Sequence, residues 1–177
     1  YHQLFDVYND YPGLNNLKTV NDHAGIGPVQ VDGEIIRLLK DCKDYYELTD
    51  HAVNAAMGSV LRLWHEARTA GLDDPAHAAL PDAAALQKAA AHTDWAAVEM
   101  DEKAGTVYIT DPELRLDVGA VAKGWSAQRA AEAAPEGFLI SVGGNVCATG
   151  PKDDDGTPWV VGITDPDGGA EYLHTLY

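Results

Sequence analysis

Residues 116–124 read Leu-Asp-Val-Gly-Ala-Val-Ala-Lys-Gly, which packs one acid, a turn of small residues and a lysine into nine positions. The small residues Gly119 and Ala120 let a backbone approach a ligand closely. The spacing predicts a helix opening near Val121 and running through Trp125 to Ala134. The first amides of a helix lack internal partners and can receive phosphate oxygens. Lys123 falls in that first turn, where the helix dipole alone disfavours a cation. A lysine placed against that preference points to an anion that needs neutralising. A strand-to-helix turn with a solvated lysine is the other reading of these nine residues.

Two further segments have the small and polar residues that ligand sites use. Ser-Val-Gly-Gly-Asn-Val-Cys-Ala-Thr-Gly at 141–150 sets Gly143, Gly144 and Asn145 after an apolar strand, either to present amides or to make a simple turn or bulge. Residues 49–68 begin Thr-Asp-His-Ala-Val-Asn, and Ala52, Val53 and Asn54 at the start of a helix would let a flat ring or a ribose come near. In the same segment Met57, Val60, Leu61 and Trp64 recur at helical spacing and are expected to pack in the core. The seven histidines form no HxH or HExxH pattern and no Cys/His set, and His51 and His65 read as surface or helix-end residues. There is no GxSxG and no complete phosphate-binding P-loop. Asp153-Asp154-Asp155-Gly156 lacks the remaining positions of a calcium loop and reads as a solvated turn.

With 28 acidic and 12 basic side chains the chain carries a formal charge of −16. Such a surface, without a basic stripe, repels nucleic acid and anionic membrane. A phosphate-bearing ligand therefore needs local cations such as Lys123, or a bound metal. Cys42 and Cys147 are far apart and form no CxxC. Two buried thiols are expected, with a disulfide left open. The chain opens on Tyr1, so its natural N-terminus, and any export signal or lipid anchor there, is expected to be absent.

The elements that must carry these segments follow from local patterns. A strand is expected at Leu4–Tyr8 and a short helix around Leu14–Asn21. Val29–Val31 should be extended, and Asp32 is placed to cap a helix whose face carries Ile35, Leu38, Leu39, Cys42, Tyr45 and Tyr46. The Met57 helix should end near Ala70 or Gly71, with a loop over 72–81 and an alanine-rich helix over about 82–91. Ala97–Met100 and Thr106–Ile109 read as one hairpin, and Val146–Thr149 with Trp159–Ile163 as another. Hairpins mixed with helices in a single domain over 1–177 indicate an α+β fold with a mixed or antiparallel sheet, not a doubly wound one.

In this order the segments resemble the ApbE family, the FAD:protein FMN transferases. Residues 116–124 correspond to that family's Asp-x-Gly-small-x-Ala-Lys-Gly segment, and 141–150 to its strand followed by Gly-Gly-Asn or Gly-Gly-Asp. Residues 49–68 resemble its Gly-x-Phe-Asp helix start ending in Leu-Trp, with His51 and Asn54 replacing the glycine and the aspartate. Thr157–Gly168 resembles the strand and Pro-containing turn that follow. The resemblance implies a T-fold-like domain, here incomplete at both ends. It implies FAD contacts from Asp117 and Lys123, with Ala52, Val53 and Asn54 lining the adenosine or flavin part. It also implies Mg2+ on the carbonyl of Ala120, further metal ligands beyond Tyr177, and wall contacts from Gly143, Gly144 and Asn145. The implied reaction cleaves FAD and attaches FMN to a threonine of an acceptor flavoprotein, a subunit of a membrane redox complex, releasing AMP outside the cytoplasmic membrane. FAD binding without transfer, and an acidic interaction domain with no ligand, are the competing readings.

Overall fold

The computed structural model describes residues 1–177, which divide into two compact units, 1–122 and 123–177. The first begins with a turn-rich loop, not the strand expected at Leu4–Tyr8. Asp6 accepts hydrogen bonds from the main-chain N–H groups of Tyr8 (2.7 Å) and Asn9 (3.0 Å), from Asn9 Nδ2 (2.9 Å) and from the Tyr11 hydroxyl (2.8 Å). A short acidic side chain that captures nearby amides in this way diverts the backbone from strand pairing. The loop is fastened to α1 (Leu17–Asp22) by Asn16. Its Oδ1 caps Thr19 N–H while its Nδ2 donates to the carbonyls of Gln3 and Asn9.

β1 (Val29–Gln30) leads into α2 (Gly33–Leu48), capped by Asp32 through Glu34 N–H at 2.8 Å. Ile35, Leu38, Leu39 and Cys42 are buried as their spacing predicts, whereas Tyr45 lies at the exposed edge of that face. α3 (Gly58–Asp73) departs further from expectation, since Gly58 is its only buried residue and Trp64 is 45% exposed. Its neighbours are a short 3-10 turn at Pro75–His77 and the two-turn helix α4 (Ala83–Ala90), which leave most of its residues part-exposed. β2 (Val98–Asp101) and β3 (Thr106–Ile109) form the expected hairpin, and β3 also pairs with β1, giving an antiparallel sheet of order β1-β3-β2. Leu17, Leu38, Leu39, Val107, Ile109 and Leu116 make the dry centre of this unit.

α5 (Ala122–Ala133) forms over nearly the span predicted, and all but its first residue belongs to the second unit. There β4 (Leu139–Val142) pairs with β5 (Asn145–Ala148), and β6 (Val161–Thr164) pairs with β7 (Tyr172–Leu176). The expected pairing of Val146–Thr149 with Trp159–Ile163 is therefore replaced by two successive hairpins. Gly143 and Gly144 both have positive φ, 55° and 87°, the backbone that a two-residue hairpin turn demands. Closing that loop costs less entropy than bridging the acidic segment around Asp153. That segment is exposed, its Asp153 accepting from Asp155 and Thr157 N–H as a solvated turn does. Both cysteines are free. Cys42 is buried, and desolvation followed by the Asp41 charge pushes its thiol up to about 12. Cys147, expected to be buried, is half-buried on β5 because its strand lies on a two-stranded hairpin. No helix is long and apolar enough to cross a membrane.

Candidate functional site

The segment at 54–58 and the segment at 115–119 are joined in the first unit. Gly58 N–H donates to the Arg115 carbonyl (2.9 Å) and Asp117 N–H to the Ala55 carbonyl (2.8 Å), around a parallel bridge between Met57 and Arg115. A Cβ on Gly58 would stand 2.5 Å from the Arg115 carbonyl oxygen, so glycine alone allows this approach. Buried Asn21 pins the same segment: its Nδ2 donates to the Leu116 carbonyl and its Oδ1 accepts Leu116 N–H. Leu116 and Val118 are buried on either side of Asp117, which turns the carboxylate the other way. Asp117 Oδ1 accepts Gly119 N–H at 2.8 Å, which fixes the carboxylate at the start of the small-residue turn.

Asn54 is equally constrained. Its Oδ1 accepts Ala56 N–H (2.8 Å) and its Nδ2 donates to the Thr93 carbonyl (3.0 Å). Thr49 holds the preceding residues, its carbonyl accepting Ala52 N–H and its hydroxyl oxygen accepting Val53 N–H. Just before them Asp50 and His51 have φ of 50° and 70°, a left-handed backbone in which glycine is the easy occupant. The His51 ring compensates by stacking on Tyr46, with centroids 4.1 Å apart and planes 8° from parallel. The glycine of the resembling family segment thus has a backbone reason, and this chain meets it with a stacked histidine.

A cavity of about 210 Å³ is lined by Val7 and Tyr8 from the first loop, Lys18, Asn21 and Asp22 from α1, Gly58 and Arg62 from α3, and Arg115–Asp117. Asp117 is in its wall; Ala52, Val53 and Asn54 are not. Sequence reasoning missed Tyr8, one aromatic side chain in a segment read as a strand. The run of residues that Asp6 binds was the available signal of a tight loop presenting it. Burial first, and the Asp117 charge second, hold the Tyr8 phenol above its ordinary pKa, against the opposing charge of Arg68. His65, expected at the surface or a helix end, lies inside α3 with Nε2 3.8 Å from Asp117 Oδ2 and its ring edge-on to Tyr8 at 5.7 Å.

The second unit unites the remaining candidates. A Cβ on Gly143 would lie 3.1 Å from Lys123 Cδ and 3.8 Å from its Nζ, so the lysine stem lies across the Gly143-Gly144 turn. A Cβ on Gly124 would come within 3.3 Å of Asn145 Oδ1, while Asn145 Nδ2 donates to the Val142 carbonyl. Lys123 and the Gly-Gly-Asn turn are therefore one surface, with the ammonium exposed. Ala120 is exposed in the turn of the first unit, offering a hard carbonyl oxygen of the kind Mg2+ accepts. No group of three or more His, Cys, Asp or Glu side chains could hold a metal ion.

Residues 1–177 match the sequence model of the ApbE family over their whole length. The chain belongs to the ApbE family. It is 33% identical over 170 residues to the FAD:protein FMN transferase of Treponema pallidum (strain Nichols), covering 86% of this chain and 44% of that protein. It is 30% identical over 179 residues to the FAD:protein FMN transferase of Klebsiella pneumoniae (strain 342), covering 97% and 52%. The crystal structure of the ApbE protein from Thermotoga maritima superposes with a TM-score of 0.78 at 28% identity, covering 99% of this chain and 54% of that one. The flavin transferase ApbE from Vibrio cholerae shares the fold, with a TM-score of 0.72 at 20% identity over 93% and 51%. The ApbE chain described here spans about half the length of the curated relatives it matches. These likenesses agree with the α+β class and the antiparallel pairing seen in both units.

Proposed function

We propose that this ApbE chain is the flavin-nucleotide-binding part of an FAD:protein FMN transferase. The observation that carries the proposal is the double assembly of its motifs. Asp117 is hydrogen-bonded into the segment that bears Asn54, and Lys123 lies across the Gly143-Gly144 turn. On a chain of charge −16, an exposed lysine beside a glycine turn is suited to a pyrophosphate. Lys123 would offset phosphate charge, Asp117 would orient the nucleotide, and Ala52, Val53 and Asn54 would lie along its adenosine or flavin part.

In the reaction the hydroxyl oxygen of an acceptor threonine forms a bond to the FMN phosphorus, the pyrophosphate bond to AMP breaks, and the hydroxyl proton is released to solvent. Such transfers depend mainly on positioning and on neutralising charge at the phosphates. Mg2+, when bound, would supply Lewis-acid neutralisation of that charge, with the Ala120 carbonyl as one ligand. The acceptor would be a flavoprotein subunit of a membrane redox complex, and the reaction would take place outside the cytoplasmic membrane. The test is AMP release measured together with covalent flavin on an acceptor flavoprotein, given FAD and Mg2+. Equal amounts of the two support the proposal. FAD binding with neither product would reduce the role to flavin-nucleotide binding.

A further inference from the structure

We infer that His65 is a positioning residue for the ligand cavity, holding the Asp117 carboxylate and the Tyr8 ring through a single, fixed imidazole tautomer. The inference rests on the proposed function, in which Asp117, a wall residue of that cavity, orients the nucleotide. Three elements converge on the ring. Arg68, one turn further along α3, places Nη2 2.8 Å from His65 Nδ1. A guanidinium has only donors, so Nδ1 must accept and the ring proton resides on Nε2. That nitrogen is the one facing Asp117 Oδ2 at 3.8 Å. The N–H on that nitrogen thus stands beyond hydrogen-bond range of the carboxylate yet near enough for a charge–dipole attraction.

The third contact is Tyr8, whose ring meets the imidazole at 88° with centroids 5.7 Å apart, the edge-to-face arrangement aromatic pairs favour. Asp117 and Tyr8 line the cavity, and His65 touches both without being in its wall. The charged and titratable groups facing the imidazole are thus Arg68 from its own helix, Asp117 from the segment before α5, and Tyr8 from the first loop. Asp6 lies beyond Tyr8, fastening its main chain. Asp117 Oδ1 is already committed to Gly119 N–H, so Oδ2 is the oxygen left to be steered, and His65 is beside it. An imidazole with the opposite tautomer would turn a lone pair toward that carboxylate and repel it.

Two measurements on the chain test this. Long-range nitrogen–proton NMR correlations at neutral pH should show His65 protonated on Nε2 alone, and Asp117→Asn should move the Nε2 resonance. Flavin-fluorescence titration with FAD should show about three- to fivefold weaker binding for His65→Ala, what a part-exposed charge contact is worth. His65→Gln, whose amide N–H can face the carboxylate, should stay within about twofold of the parent. A ring protonated on Nδ1, an Nε2 resonance indifferent to Asp117→Asn, or equal weakening by Ala and Gln would overturn the inference. If His65→Ala does not fold, the glutamine variant and the spectra decide. If the parent chain binds no FAD, the proposed function fails, and the nitrogen spectra alone decide the role of His65.

Discussion

Asn54→Asp changes one atom and converts the side chain to the residue that many members of the resembling family carry. In this chain the change should destabilise. Ala56 N–H requires an oxygen at Oδ1, which leaves Nδ2 as the donor to the Thr93 carbonyl at 3.0 Å. A carboxylate preserves the first bond and sets an acceptor against an acceptor at the second. Losing a typical net hydrogen bond costs about 0.5–1.5 kcal/mol, and a carbonyl left without its partner raises the total to about 1–2 kcal/mol in this half-buried setting. For a chain of this size that corresponds to a fall in Tm of about 3–8 °C. The pH dependence has a definite sign. Facing a carbonyl disfavours the charged carboxylate, so its folded pKa is raised above the unfolded value. The deficit should therefore be small below about pH 4, where the protonated acid can donate again, and grow as pH rises through the folded pKa. Urea unfolding of both proteins followed by circular dichroism at pH 3 and pH 7 measures it. A variant as stable as the parent at pH 7 would refute the role given to the Thr93 bond.

The loop that presents Tyr8 should be acid-sensitive. Burial raises the Asp6 carboxyl, but hydrogen bonds from Asn9, Tyr8 and Tyr11 prevail and hold it at about 2 against an ordinary 3.8. Because the folded value is depressed, the stability from Asp6 is present above about pH 4 and disappears as pH falls toward 2. Asp6→Asn should remove that part of the pH dependence in urea unfolding, and identical profiles for the two proteins would contradict it. Gly58→Ala should cost about 1–3 kcal/mol, since its Cβ meets the Arg115 carbonyl at 2.5 Å and the bridge to Asp117 must shift. An unchanged unfolding midpoint would show that the two segments are not tied there.

The parts of this chain that were legible in its sequence are those decided within a few residues. Asp32 caps its helix because a short acceptor beside free amides has the same partners in any fold. The hairpin of β2 and β3 was visible because its turn is local: Asp101 accepts N–H from Lys103 and Ala104, and Gly105 takes φ of 68°. The partner of β5 was not, since Leu139–Val142 and Trp159–Ile163 are equally strand-like neighbours and the choice depends on loop closure. The periodicity of Val60, Leu61 and Trp64 correctly marks a helix, but no pattern within α3 says what covers its face. Among site residues, Asp117 and Lys123 stood out by type and spacing. Tyr8 and His65 did not, because they meet Asp117 only through folding across more than fifty residues on each side.

The central claim is that the assembled motifs recognise a flavin dinucleotide through its pyrophosphate, with Lys123 beside the phosphates. Calorimetric titration of the chain with FAD, FMN and riboflavin, repeated on Lys123→Ala, tests this most directly. FAD should bind tightest, and the lysine substitution should weaken it by about 1.5–3 kcal/mol, tenfold or more, while riboflavin binding stays as it was. Equal affinities for the three ligands, or FAD binding indifferent to the loss of Lys123, would contradict the account.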